Sequence, residues 1–227
     1  MKVTVPQLLT FNGGYSDTAG FLALHGLFTA HVTGNFVTFG ASLVHGTSGA
    51  VAKLLALPMF CLVVMLSRLS GEYLTRKGLA PLRSLIGAKA VLFTLGAVLA
   101  IQWGPFGNGD SLVAIVTGML LVSAMAIQNA VHKLYFPKAP PTTLMTGSTT
   151  QAMIDLADLM HGGLDPEARK AARARCISLV TSICIFALGC AAAAIGYMEA
   201  GMWVFMLPAV LAIGLYLFPP PHAAAAA

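Results

Sequence analysis

The sequence predicts an all-α polytopic membrane protein of six transmembrane helices. They form two inverted three-helix repeats, each with a Thr-Gly break and a short half-helix. Three observations predict this. The chain is 57% hydrophobic and only 9% charged, against about 25% charged in a soluble domain. Several apolar runs reach the roughly 20 residues that cross a hydrocarbon core. A Thr-Gly turn with a short segment behind it occurs twice, at Thr33-Gly34-Asn35 and at Thr146-Gly147-Ser148.

The first span is expected over Pro6–Ala30. It begins near the positive charge of Lys2, but it contains Asp17 and has no small-residue cleavage site before the turn, so it reads as a span and not as a leader. Phe36–Val44 is too short to cross and reads as a half-helix or re-entrant piece. The second span runs from about Leu54 to Ser70, with Pro58 near its start, where proline is best tolerated. A basic loop with Arg68, Arg76, Lys77, Arg83 and Lys89 follows. The third span is about Leu85–Trp103, with Trp103 as an interface anchor. GPFGNGD is a tight turn, and the fourth span is about Leu112–Val131. A proline cluster leads to the second Thr-Gly turn and an amphipathic piece, Ser148–Met160. Asp165 and Pro166 suit the N-cap and first position of a helix. The fifth and sixth spans are about Cys176–Tyr197 and Met202–Phe218, and the tail PPPHAAAAA, 219–227, is low-complexity and expected to be disordered.

Loop charge sets an expected orientation. Lys and Arg crowd the loops between spans two and three and between four and five. Between spans one and two there is only Lys53. This alternation fits both termini in the cytoplasm of a bacterial inner membrane. The net charge of +5 then marks loops; no polar basic domain exists for nucleic acid to bind. Cys61, Cys176, Cys184 and Cys190 lack CxxC spacing and read as buried free thiols.

The first repeat is expected over 1–107, with its half-helix at 36–44, and the second over 108–218, with its amphipathic piece at 148–160. Thr33, Gly34 and Asn35 lie against Thr146, Gly147 and Ser148. Asp17 falls near Gln128-Asn129. With three crossings per half the halves face opposite ways, the plan of many transporters and channels. Broken helices free N–H and C=O groups that neighbouring side chains or a ligand must satisfy.

The pieces GYSDTAGFLALHGLF, HVTGN, AIQNAV and TTLMTG resemble the YoaK family, small bacterial inner-membrane proteins grouped as a domain of unknown function. The resemblance covers nearly the whole chain. It implies six helices and no established reaction. Family members carry a basic residue shortly after the Thr-Gly-Asn turn, where this chain has Phe36-Val37-Thr38-Phe39.

The candidate site comprises Asp17, His25, His31, Thr33, Gly34, Asn35, Gln128, Asn129, Thr146, Gly147 and Ser148. An acid inside a span is costly and faces a partner or a water-filled cavity by default. Asp17 therefore reads as a cation or proton site, with surface capping as the bland alternative. His25 and His31 titrate near neutral pH, or simply bond backbone. Gln128 and Asn129 line a polar path or glue helices together. Arg68 and Glu72, four apart, suit an interfacial ion pair. Gly189, Gly196 and the alanines between them form a packing face, within the subunit or between copies. No catalytic motif, metal set or cofactor signature stands out. The expected function is a transporter or channel for a small solute or ion. The alternatives are an integral-membrane enzyme acting on a lipid or hydrophobic substrate, and a non-transporting membrane partner.

Overall fold

The computed structural model describes residues 3–218. Lys2 and the tail 219–227 lie outside the described residues. Within them the chain is helical and has no strand. The helices are α1 (Val5–Ala23), α2 (Gly34–His45), α3 (Ala50–Arg76), α4 (Pro81–Trp103), α5 (Leu112–Tyr135), α6 (Thr146–His161), α7 (Pro166–Ala200) and α8 (Met206–Leu217). A 3₁₀ turn at Gly201–Phe205 leads into α8.

Local chemistry explains several boundaries. Pro6 lies in the first turn of α1, and Thr4 N–H donates to Gln7 Oε1 at 2.9 Å. Ser111 Oγ caps α5 by accepting from Ala114 N–H. Asp165 caps α7 through Ala168 N–H at 2.9 Å, with Pro166 as the first helical residue. Gly46 (φ 64°) ends α2 and Gly201 (φ 54°) turns the chain between α7 and α8, a left-handed geometry that only glycine adopts freely.

Helices α3, α4, α5 and the stretch Pro166–Leu217, which holds α7 and α8, are long and apolar enough to cross a membrane. This is a helical, membrane-type protein. α5 is the most enclosed, with 67% of its apolar window buried, whereas α3 buries 22%. Leu54, Leu62, Met65, Leu66 and Leu69 of α3 face outward, as contact with lipid requires.

Helix α1 packs along α7, and α3 packs along α5. α4 lies between α5 and α8, while α2 rests on α3 and α6 on α7. Lys and Arg gather where α3 and α5 end and where α4 and α7 begin. The other end holds the turns after α1, α4 and α7. Among the described residues two lysines depart from this pattern. Lys53 lies in the first turn of α3 and Lys89 inside α4, both 3% exposed. Lys89 is thus not the loop cation expected from the sequence.

Two further expectations are corrected. The first span stops at Ala23, not Ala30, because His25 (φ 53°) and Gly26 (φ 84°) reverse the chain. Pro58 lies in the interior of α3, because that helix begins at Ala50 and not near Leu54. The proline leaves the Leu54 carbonyl without its helical donor. The expected Arg68–Glu72 pair forms at 2.6 Å on the surface.

The α1–α7 contact is backbone on backbone. A Cβ at Gly14 would strike the Phe186 carbonyl, and one at Gly189 would strike the Phe11 carbonyl. Neither neighbour is a flexible side chain, so the helices must separate to admit a methyl group. Gly189→Ala is expected to cost about 1–3 kcal/mol by overpacking. Gly40→Ala, in open space within α2, is expected to be neutral or slightly stabilising. Thermal unfolding of both variants in detergent checks the contrast.

Candidate functional site

The polar interior is built on two places where the chain dips back into the bundle. After α1, residues 24–33 run back beside the helix they have just left. Leu24, Leu27, Ala30 and Val32 are buried along this path. Thr29 Oγ1 donates to the Ser16 carbonyl at 3.1 Å. Ala30 N–H donates to Asp17 Oδ1 at 2.7 Å, and His31 N–H reaches the same carboxylate at 3.2 Å. Asp17 lies six residues before the end of α1, about 9 Å down the helix axis. Asn35 closes the turn on itself: Phe28 N–H donates to its Oδ1, and its Nδ2 donates to the Phe28 carbonyl, both at 2.8 Å. α2 then returns to the end at which α1 finished.

The second dip follows α5. Thr143 Oγ1 donates to Asn129 Oδ1 at 2.7 Å, and Asn129 also lies six residues before the end of its helix. His132 Nε2 meets the Ala139 carbonyl at 3.2 Å. The Thr142 carbonyl packs on the face of Gly13, where a Cβ would collide with it. α6 then returns to the Arg-rich end. One dip therefore reaches α1 at Gly13 and the other at Ser16 and Asp17. The two come from opposite ends and meet α1 about one turn apart, near its middle.

Beside that meeting point lies a buried amide pair. Asn12 Nδ2 donates to Gln128 Oε1 at 2.9 Å, and Gln128 Nε2 donates to the Leu9 carbonyl at 2.8 Å. Lys89 Nζ donates to the same Gln128 oxygen at 2.7 Å. A groove of about 290 Å³ opens next to Asp17, between Phe21, Phe28 and His31 on one side and Phe186 and Cys190 on the other.

α2 and α6 are each also tied to the helix that follows. Lys53 Nζ of α3 donates to Ser42 Oγ of α2 at 2.6 Å. Arg175 of α7 pairs with Asp155 of α6 through two hydrogen bonds, Nε to Oδ2 at 2.8 Å and Nη2 to Oδ1. These bonds hold the Asp155 carboxyl below its ordinary range. Ser42 follows Thr33 by nine positions, and Asp155 follows Thr146 by nine.

A model of the protein family of unknown function DUF1275 matches residues 5–218. The chain belongs to this family. The resemblance drawn from the Asp17, Thr-Gly-Asn, Gln-Asn and Thr-Gly segments thus holds over nearly the whole chain. No curated protein and no solved structure matches it.

The residues singled out in this DUF1275 chain divide between several places. Asp17, His31 and Asn35 meet at the first dip, with Gly34 opening α2. Gln128 belongs to the central amide pair and Asn129 to the second dip. Thr33, Thr146 and Gly147 are exposed, whereas Ser148 is buried and its hydroxyl has no partner. His25 stands apart from Asp17. Its Nε2 meets the Phe106 carbonyl at 2.7 Å and its Nδ1 meets Ser48 Oγ at 3.2 Å. Asp110 completes this clamp by accepting from Gly49 and Val51 N–H at 2.8 and 2.9 Å. With a carbonyl on Nε2 and a hydroxyl on Nδ1, the imidazole joins three turns.

Sequence reasoning missed Asn12, Ser42, Lys53 and Lys89 as interior groups. For Lys89 a signal existed. It lies four residues from Leu85 and four from Phe93, both buried, so helical periodicity alone turns it inward.

Asp17 pins the first dip by accepting backbone N–H groups. Asp17→Ala leaves buried donors unpaired, at an expected cost of about 1–3 kcal/mol. Asp17→Asn keeps one acceptor oxygen and should cost less. Hydrogen exchange should accelerate at Ala30 and His31 in Asp17→Ala and stay unchanged around Thr143. Unchanged exchange at Ala30 would mean that the carboxylate does not hold the loop.

Proposed function

We propose that this protein is a small-solute or ion transporter of the bacterial inner membrane, built as two inverted three-helix repeats around the meeting point of the two dips. The convergence of the dips from opposite ends on the middle of α1 carries this reading. Irregular backbone at such depth is tolerated only when buried in protein or lining a polar path, and discontinuous helices of this kind form solute sites.

The pairing of elements supports the repeat. Exchanging the halves carries α1 into α5, α2 into α6, α3 into α7 and α4 into α8. The α1–α7 pair then becomes α5–α3, the α2–α3 pair becomes α6–α7, and α4–α8 maps on itself; all are packed pairs. The ties repeat as well. His31 follows Asp17 by fourteen residues and Thr143 follows Asn129 by fourteen. Lysine and arginine at one end favour that end, with both termini, in the cytoplasm. In this reading Thr33 and Thr146, exposed at the starts of α2 and α6, face aqueous approaches on opposite sides. Solute passes when one dip and then the other gives way.

Single cysteines at Thr33 and Thr146, in a background with the four native cysteines replaced, test this directly. Right-side-out and inverted vesicles are treated with a membrane-impermeant maleimide. Thr33→Cys is expected to label from outside and Thr146→Cys from inside. Labelling of both from one side would overturn the inverted arrangement.

A further inference from the structure

Among the described residues Lys89 is the one lysine placed inside the bundle away from both helix ends. It is 3% exposed, and neither ion pair among the described residues includes it. Its protein contacts are a neutral oxygen, Gln128 Oε1, and the ring of Phe93, 5.5 Å from the ammonium to the centroid. An ammonium group carries three donors and no acceptor, so two N–H groups stay without a protein partner. A buried charge is tolerated when it is paired and its remaining hydrogen bonds are met.

Other buried groups of the interior are also uncommitted. Asn12 Oδ1 is buried and without a partner, although Asn12 Nδ2 bonds the same Gln128 oxygen as Lys89. That shared atom holds the amide and the ammonium within reach of a single small molecule. Thr142, whose carbonyl packs on Gly13 next to Asn12, is 1% exposed and its hydroxyl is also unpartnered. Three residues past Thr143, α6 begins without a side-chain cap on its first N–H groups. The positive end of a helix dipole therefore starts a short chain length from the cluster. Ser148, in the first turn of α6, adds a second buried hydroxyl without a partner.

Most of the uncommitted hydrogen-bonding capacity here can donate: two ammonium N–H groups, two hydroxyls and an uncapped helix start. The acid of the region, Asp17, is already occupied by the N–H groups of Ala30 and His31. A cation at the meeting point would face Lys89 with no free carboxylate beside it. Resting on the transport reading above, we propose that the solute is a small anion, inorganic or carboxylate, whose charge is neutralised by Lys89. Gln128 positions the ammonium. Lys89 is closed off from solvent, so the anion reaches it when the bundle opens.

The test uses purified full-length protein in detergent at constant ionic strength, with sodium gluconate as the balancing salt. Sodium chloride, nitrate, formate and acetate are titrated in turn, and the melting temperature is read. A ligand of the folded state raises it by mass action. Wild-type protein is expected to show a saturable rise with at least one of the four. The chloride and nitrate arms separate an inorganic ligand from the carboxylates. Lys89→Gln is expected to lose the response while melting no lower than unliganded wild type, since it removes an unpaired buried charge. Lys89→Arg is expected to keep it, and serves as the comparison if Lys89→Gln does not elute as a single species. No rise in the wild type, or a full rise in Lys89→Gln, would overturn the proposal. Opposite-side labelling at Thr33 and Thr146 with no anion response removes the anion and leaves transport standing. An anion response with same-side labelling removes transport and leaves an anion-binding protein.

Discussion

Irregular backbone inside an apolar bundle must find its hydrogen bonds within the protein, and this requirement shapes the polar interior. In hydrocarbon each unsatisfied N–H or C=O costs several kcal/mol. Here the chain leaves helical geometry twice within the bundle, and a side chain from the preceding helix meets each dip. Asp17 takes two N–H groups of the first, and Asn129 takes the Thr143 hydroxyl of the second. The two differ in strength. A carboxylate accepting N–H groups makes charge-assisted bonds, roughly twice as strong as a neutral amide's. The first dip also uses Asn35 as a two-way clip, while the second leaves the hydroxyls of Thr142 and Ser148 without partners. The first is therefore the better determined, and the second holds more spare hydrogen-bonding capacity.

Close packing makes the meeting of the dips possible. Bare Cα faces at Gly13 and Gly14 admit the Thr142 carbonyl on one side of α1 and the Phe186 carbonyl on another. A side chain at either position would push a dip or α7 outward by more than the neighbours can yield. The middle of α1 is therefore at once the thinnest part of the helix and the most polar, with Asn12, Ser16 and Asp17 around those glycines. Both properties serve one end: two strands of irregular backbone approach a helix and find partners on it.

Much of this architecture was legible in the sequence. Apolar runs of spanning length located α3, α4, α5 and the α7–α8 stretch, and the short segments behind each Thr-Gly turn became α2 and α6. The end of α1 was not legible. The dip reads LHGLFTAHV and is as apolar as a helix interior, because it is buried as one; hydropathy cannot separate a chain that continues from one that folds back. The left-handed backbone at His25 and Gly26 makes the difference, and glycine inside an apolar run is a weak signal. Asp17 drew attention as an intramembrane acid, but its partners are backbone groups, which no residue type announces. Lys89 was hidden for the opposite reason. Counted with Arg76, Lys77 and Arg83 it looked like loop charge, and only its helical register, in step with Leu85 and Phe93, sets it apart.

The ties of α2 and α6 to the helices behind them differ in strength. Ser42 and Asp155 occupy matching positions behind the two Thr-Gly turns, yet their ties, to Lys53 and Arg175, are chemically unequal. The first joins an ammonium to a neutral hydroxyl. The second is a guanidinium–carboxylate fork with Gln151 as an added donor to Asp155 at 2.9 Å. Bidentate charged pairs resist separation more than a single bond to a hydroxyl. α6 is therefore held on α7 by the stronger tie, and α2 on α3 by the weaker one. Lys53 also lies in the field of Asp110, whose carboxylate pins the turn into α3, and Arg175 in that of Asp158. α2 is thus the less firmly fixed of the two short helices, although both are tied at the same distance behind a Thr-Gly turn.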